Sequence, residues 1–541
     1  MNHASSEMKF FLYEQDMLRY LNRECYTSLN EWLQQSCSVY AKRVAFTSEG
    51  RELTFGELDE LSLALASYFH FVCGLNKGDR VAIRLPNIWQ YPVVAWAALR
   101  AGLVIVNTDP LYSAPELRHQ LIDSGARMVV TQEGATDSLG RILPETEVEQ
   151  LLLIPNLSGS AERPVLAGQR IAPAVSFESA VRSGEGWKLP DFHLTMNDLA
   201  LVQYTGGTTG FPRGVMLTHG NVFSSVMQSA EFSEIDPDRP DLVICPIPIH
   251  HIYAFTLNVI SICCRGGHSV LIPQAGDTES LIGAMKAYPF TLLVGVNAVF
   301  ATLLNHPDFD QADFSRVVGI ISGGSALRED IVSEWFKRSG THIYEGYGLS
   351  ETTGTVSCNT PLARRPGTVG RAYRSTQIKL VPVDGQQAAA HHGEVWVRGP
   401  QVMHGYWNPS AEPALALDHA GWFRTGDIGA LDEDGFLQLF DRLQDVIKVS
   451  GMDVYPSEVE SVVSRHPGIL ECAVVGVPDA PAGEVVKLFV TARDKNLTPQ
   501  AITQFCRERL VAHKVPVHIE FLSSLPKSSV GKLLRRELGS N

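Results

Sequence analysis

Between an apolar run, Leu199 to Val202, and a helix-like segment beginning near Asn221, the chain reads Tyr204-Thr-Gly-Gly-Thr-Thr-Gly-Phe-Pro-Arg-Gly214. The run before it has the character of a buried strand. A loop so rich in Gly and Thr bends tightly and turns backbone N–H groups and hydroxyls inward, which is what a polyphosphate requires of a protein. Arg213 adds a fixed positive charge at its end. A surface turn accounts for one or two of these residues, not for all of them together. No Gly-Lys-Ser/Thr follows at the spacing of a Walker loop.

Around this segment, apolar strand-like runs alternate with amphipathic stretches: Arg80 to Leu85, Leu103 to Asn107, Arg127 to Thr131, Leu242 to Pro246, Thr291 to Gly295 and Val317 to Ser322. The alternation predicts an α/β fold with substantial parallel sheet. Shorter β elements follow, at Gln377 to Val383, Glu394 to Arg398 and Gly435 to Phe440; the biased stretch Gln386 to His392 reads as a hairpin tip. Beyond Asp441 the rhythm changes to a compact α+β pattern: a helix over Pro456 to Ser464, strands over Glu471 to Val477 and Val485 to Thr491, a helix over Pro499 to Val511, and a strand over Val517 to Phe521. At 541 residues the chain is too long for one ordinary core. The expected division is 1–441, a large N-terminal domain of α/β subdomains plus a β subdomain, and 442–541, a small mobile α+β domain.

Composition narrows the function. Hydrophobic residues at 45% with 19% charged are globular proportions, and a net charge of −14 without a basic tract argues against nucleic acid. The start carries no basic region followed by a long apolar run, so no signal peptide is expected. The best candidate membrane span, Tyr91 to Val106, is interrupted by Arg100 and reads better as a buried helix and strand. Nine cysteines include no Cys-x-x-Cys pair, which fits a reducing cytoplasm.

The Gly/Thr loop resembles the phosphate loop of the adenylate-forming superfamily, which includes acyl-CoA synthetases, peptide-synthetase adenylation domains and beetle luciferases. Arg213 stands where the family usually has Lys, exchanging a compact ammonium for a planar fork. Further motifs follow in the family's order from about Tyr26 to Leu538. Tyr344-Glu-Gly-Tyr-Gly-Leu-Ser-Glu351 is similar to the second signature, and implies that Tyr347, followed by Gly348, stacks on adenine, Ser350 meets the α-phosphate and Glu351 holds Mg²⁺. An aromatic face offers stacking area, and a hard cation prefers carboxylate beside phosphate oxygens. Gly323-Gly-Ser-Ala326 resembles the stretch lining adenine's other side, giving Gly324, Ser325 and Ala326. Gly421-Trp-Phe-Arg-Thr-Gly-Asp427 implies that Asp427 accepts both ribose hydroxyls, with Arg442 on ribose or phosphate. Pro526-Lys-Ser-Ser-Val-Gly-Lys532 resembles the last motif and makes Lys532 the adenylation lysine, stabilising charge that grows on the α-phosphate.

The resemblance implies ATP, Mg²⁺ and coenzyme A as cofactors. Thr205, Gly206, Gly207, Thr208, Thr209, Gly210 and Arg213 would hold phosphate, and Lys448 and Gly451 would line the tunnel for coenzyme A. Gln444 replaces the usual pivot residue. Local wording, such as Asn107-Thr-Asp-Pro-Leu-Tyr112 and Gly399-Pro-Gln-Val-Met403, is especially similar to bacterial long-chain fatty acyl-CoA ligases. His251 aligns with the family's gate beside the acyl carboxylate; a zinc site is not expected from it, since adjacent histidines ligate one metal poorly. Ile252 to Ile260 and Val294 to Phe300 would line the acyl pocket, with Gly295 and Ala298 leaving room. Each methylene is worth about 0.8 kcal/mol, so depth grades chain length gently. The implied activity is ATP-dependent formation of acyl-AMP from a fatty acid, then of acyl-CoA. A carrier-protein-loading acyl-AMP ligase or a medium-chain or specialised acyl ligase is the alternative; a luciferase-like oxidase and a non-catalytic acyl or nucleotide sensor are the more distant ones. Partners are the fatty acid and coenzyme A, with a homodimer left open. Location is cytoplasmic, with a peripheral contact at the inner face of the membrane because long-chain acids partition into bilayers.

Overall fold

The computed structural model describes residues 26–135, 137–155, 173–205, 212–230, 232, 240–274, 276–383, 392–408, 416–528 and 531–539. Among these the strands form four sheets, of nine, eight, four and five strands. The six central strands of the largest run parallel: Val44–Ser48, His268–Leu271, Leu242–Cys245, Leu292–Gly295, Gly319–Ser322 and Ile343–Tyr347. Short antiparallel strands close its edges. In the eight-stranded sheet Leu199–Thr205 continues the parallel set of Val104–Asn107, Arg80–Arg84, Met128–Gln132 and Gln150–Ile154. The predicted runs therefore fall on real strands. Tyr91 to Val106 is the buried helix Gln90–Arg100 followed by the strand Val104–Asn107. No helix among the described residues is long and apolar enough to cross a membrane.

Continuous Val, Ile and Leu in these strands follow from parallel sheets covered on both faces. One core runs through Phe46, Val81, Ile105, Val243, Val294 and Leu437, and so joins the nine-, eight- and four-stranded sheets. A second core, around Phe300, Phe309 and Trp335, covers the other face of the nine-stranded sheet. The four-stranded sheet is antiparallel, Gln377–Val381, His392–Arg398, Phe423–Leu431 and Leu437–Arg442.

The chain forms a large N-terminal domain and a smaller C-terminal one. In the latter, Ile447–Val449, Met452–Val454, Ile469–Asp479, Gly483–Ala492 and His518–Phe521 make one sheet. Its interior, with Val459, Leu488, Ile502 and Phe489, draws only on residues beyond 446. The helix expected over Pro499 to Val511 stops at Arg507. Val511 is 56% exposed, so the last apolar residue has no core to continue the helix against.

Candidate active site

The phosphate-loop segment joins two strands, not a strand and a helix. Leu199–Thr205 returns antiparallel as Arg213–Thr218, with Thr205 paired to Arg213 as the last register before the loop. The helix then begins at His219, with Asn221 in its first turn; Thr218 Oγ1 accepts from Asn221 N at 3.1 Å and caps it. The returning strand is forced by close packing: a Cβ on Gly214 would lie 2.6 Å from Val202 Cγ1. Gly206, Gly207, Thr208, Thr209 and Gly210 lie outside the described residues, as does most of the stretch from Gln386.

Thr205 and Arg213 open onto a cleft of about 2220 Å³, bounded by all the large sheets and by the C-terminal domain. That exceeds a single ligand pocket at least twofold. The walls include Gly324, Ser325, Ala326, Tyr347, Gly348, Ser350, Glu351, Asp427, Arg442 and Lys532. Residues spread over more than three hundred positions of sequence are thus gathered at the C-terminal edges of the parallel strands, where α/β sheets place their ligands.

Asp427 is the electrostatic centre. It is buried, its Oδ2 accepts from the Tyr347 hydroxyl, and its Oδ1 lies 3.1 Å from Arg442 Nε. Asp427 and Arg442 are cross-strand partners in the four-stranded sheet, which fixes their approach. Burial, reinforced by the Asp427 charge, holds the Tyr347 hydroxyl well above its ordinary pKa, so it stays a donor. Gly348 packs on the backbone of Gly354 so closely that no Cβ fits there.

Glu351 sits in the turn Ser350–Thr352, and its Oε1 accepts from Tyr406 Oη at 2.8 Å. The Arg213 guanidinium lies over the Tyr406 ring, 4.4 Å from its centroid. Tyr406 therefore links two residues singled out by sequence. It was missed because it reaches them only through the pairing of Gly405–Tyr406 with Arg213–Thr218. Glu345 was missed as well. It lines the cleft, and burial pushes its carboxyl up to about 7, opposed by the Leu327 N–H. Among the described residues no cluster of three or more potential metal ligands exists. A single carboxylate suits Mg²⁺, which takes one or two carboxylates and leaves its other positions to phosphate and water.

Lys532 reaches the cleft from a hairpin closed by Ser528 N to Lys532 O at 2.8 Å and Leu534 N to Pro526 O at 3.0 Å. Solvent still reaches the side chain, yet protein crowds around it. That crowding, then Arg442, lowers its pKa, while Asp427, Asp445 and Glu351 hold it up. His251 also faces the cleft, and burial, with His250 and Lys532, pushes its imidazole down to about 4 against the pull of Asp109. It is neutral near pH 7. Behind it a buried relay, Tyr91 Oη to Asn107 at 2.6 Å, Asn107 to Gln203 at 2.9 Å and Gln203 to the His250 carbonyl at 3.1 Å, fixes the loop.

Two expectations need correction. Gly295 does not widen the acyl pocket: a Cβ there would meet Phe300 at 2.8 Å, so its missing side chain serves the second core. Of Ile252 to Ile260, only Ile252, Tyr253, Thr256 and Leu257 line the cavity, whereas Phe255, Val259 and Ile260 are core. Ala298 does line it. Lys448 and Gly451 are absent from the walls; Lys448 pairs with Asp453 across a hairpin whose turn contains Gly451.

With the geometry in place, comparison with known proteins decides the family. Residues 33–407 match the model described as AMP-binding enzyme, and 458–532 match AMP-binding enzyme C-terminal domain. The chain belongs to the AMP-binding enzyme family. It is 40% identical over 543 residues to a long-chain-fatty-acid–CoA ligase of Escherichia coli O157:H7, covering 97% of this chain and 96% of that one. The fold is similar to ATP-bound MatB from Rhodopseudomonas palustris, with 25% identity, a TM-score of 0.82 and 94% and 98% of the two chains covered. It is similar also to o-succinylbenzoate coenzyme A synthetase (MenE) from Bacillus subtilis in complex with ATP and magnesium ion, with 26% identity, a TM-score of 0.79 and 94% and 98% covered.

Proposed function

We propose that this protein is a fatty acid–CoA ligase acting on long-chain acids. The carboxylate oxygen attacks the α-phosphorus of ATP and pyrophosphate leaves. The thiol sulfur of coenzyme A then attacks the acyl carbon and AMP leaves. One observation carries the reading: Lys532 of the small domain shares a cleft with Asp427, Arg442, Tyr347 and Glu351, and apolar residues such as Leu257, Leu292 and Ile321 line the same cleft. The similarity to long-chain-fatty-acid–CoA ligases over nearly the whole length supports the choice of acid and acceptor.

In this reading Asp427 receives the ribose hydroxyls. Tyr347, whose hydroxyl is tied to Asp427, offers a fixed ring to adenine, with Gly324 to Ala326 opposite. Thr205 to Gly210, Arg213 and Ser350 bind phosphate. Glu351 holds magnesium, which when bound neutralises phosphate charge. Lys532 places an ammonium beside the oxygens that gain charge as the carboxylate attacks. Neutral His251 bounds the carboxylate end of the acyl arm without competing for the proton or the charge. Lys448 and Gly451, outside the cleft here, belong to the second half, after the small domain, 442–541, turns about Arg442 to Gln444. The change of sheet between Arg442 and Ile447 supports that boundary. The enzyme works in the cytoplasm and meets the inner face of the membrane peripherally, where its acid partitions; co-sedimentation with vesicles tests this. The deciding experiment measures pyrophosphate release and acyl-CoA formation with acids of graded length; ATP turnover that is independent of any fatty acid would refute the proposal.

A further inference from the structure

Glu351 and Arg213 reach the cleft from segments far apart in the chain, and a third segment ties them together. Asn221, in the first turn of the helix that begins at His219, donates through Nδ2 to the Val402 carbonyl at 2.8 Å and to the Pro400 carbonyl at 2.9 Å. Met403 N then donates to the Glu351 carbonyl at 2.8 Å. His404 N donates to the Met216 carbonyl at 3.0 Å and Trp407 N to the Gly214 carbonyl at 2.7 Å, which lays Gly405–Tyr406 along the strand Arg213–Thr218. Residues 402–407 are thus fixed by their backbone against the helix, the Glu351 turn and the Arg213 strand.

The Tyr406 side chain is where the two site residues meet. Its hydroxyl donates to Glu351 Oε1 at 2.8 Å, and the Arg213 guanidinium covers its ring, 4.4 Å from the centroid. A phenol serves both at once, because the hydroxyl lies in the ring plane and a cation takes the face. Glu351 and Arg213 carry opposite charges, yet among the described residues no ion pair joins them. In a cleft partly screened from water a direct pair would neutralise both charges, leaving less for a cation or a phosphate. Tyr406 gives the carboxylate a neutral donor and the guanidinium a neutral surface, so each keeps its charge.

We infer that Tyr406 is a positioning residue that holds Glu351 and Arg213 apart, the carboxylate for a divalent cation and the guanidinium for the phosphates of the same nucleotide. The inference rests on the nucleotide reading above. The test uses the full-length protein without fatty acid and measures by calorimetry the Kd of α,β-methylene-ATP, whose P–C link blocks loss of pyrophosphate, in Mg²⁺ and in EDTA. Losing the hydrogen bond that orients a metal-binding carboxylate weakens metal binding about 10–100-fold. Tyr406→Phe should therefore weaken binding in Mg²⁺ by about that factor and leave Kd in EDTA within about twofold. Tyr406→Leu removes the ring as well, so Arg213 closes on Glu351 and affinity in EDTA also falls, by about 2–30-fold, the range of a cation–ring contact. Adding Glu351→Gln to Tyr406→Leu releases the guanidinium, and affinity in EDTA recovers by more than Glu351→Gln alone gains in wild type, a coupling that a merely structural tyrosine would not give. A Tyr406→Phe protein that melts like wild type and either keeps its affinity in Mg²⁺ or weakens equally in both conditions would overturn the inference, as would a Tyr406→Leu protein that Glu351→Gln does not rescue. Wild type that binds neither the analogue nor ATP would overturn the nucleotide reading, and this inference with it.

Discussion

Arg535→Met removes the anchor of the hairpin that presents Lys532. Arg535 Nη2 lies 2.7 and 2.6 Å from the two oxygens of Glu460, and its Nε lies 3.3 Å from the Val474 carbonyl. Glu460 Oε1 accepts from Val474 N at 2.8 Å, so strand, helix and hairpin meet at one ion pair. Burial already raises the Glu460 carboxyl, and Arg535 holds it down; without Arg535 the acid takes up a proton more readily. The side chains are 23% and 18% exposed, between a surface pair worth under about 1 kcal/mol and a buried one whose disruption costs about 3–5. A loss of about 2 kcal/mol is expected. If it falls wholly on docking of the hairpin, adenylation slows up to about 30-fold, a factor of ten for each 1.36 kcal/mol. Thioester formation from supplied acyl-AMP, which in the proposed mechanism does not use Lys532, should change by less than about twofold. Single-turnover assays of the halves separate the two, and Arg535→Lys should recover part of the first. Equal slowing of both halves would refute the anchoring argument.

Lys532→Met should slow pyrophosphate release by about 10²–10³, as loss of one transition-state donor does, with acyl transfer from supplied acyl-AMP spared. Tyr347→Phe removes a hydrogen bond to a charged acceptor worth about 1.5–3 kcal/mol, so KM for ATP should rise about tenfold or more in pyrophosphate exchange. His219 is 1% exposed and accepts from Leu29 N at 3.4 Å; burial pushes its imidazole down to about 4. The unfolded chain therefore binds a proton near pH 6.5 that the folded one refuses. Its contribution, on the order of 3 kcal/mol, is complete above pH 6.5 and lost as pH falls towards 4. Melting temperature measured across that range should fall more steeply in wild type than in His219→Gln.

Much of this molecule was legible beforehand. Parallel strands announce themselves because both faces are buried and the sequence shows unbroken Val, Ile and Leu. Asp427, Glu351, Tyr347 and Lys532 could be picked out because each sits in a short motif with its own turn chemistry, and the fold brings all four to one cleft. What escaped depends on contacts between distant segments. The strand Arg213–Thr218 reads as loop because Arg213 and Gly214 begin it. Tyr406 carries no local signal, and Gly295 looks like space in a pocket until Phe300 is seen to fill it. Glu345 reads as one more strand residue, since its altered acidity comes from burial that local sequence does not encode.

In the proposed mechanism Asp427 also joins two tasks in one carboxylate. Arg442 is its cross-strand neighbour and the last residue of its strand, the point from which the small domain is proposed to hang. In that mechanism a sugar diol arriving at Asp427 meets a carboxylate already engaged at both oxygens, Oδ1 by Arg442 and Oδ2 by Tyr347. On that proposal, occupancy of the nucleotide site is felt at the tether itself, with no chain of intermediaries to carry the news.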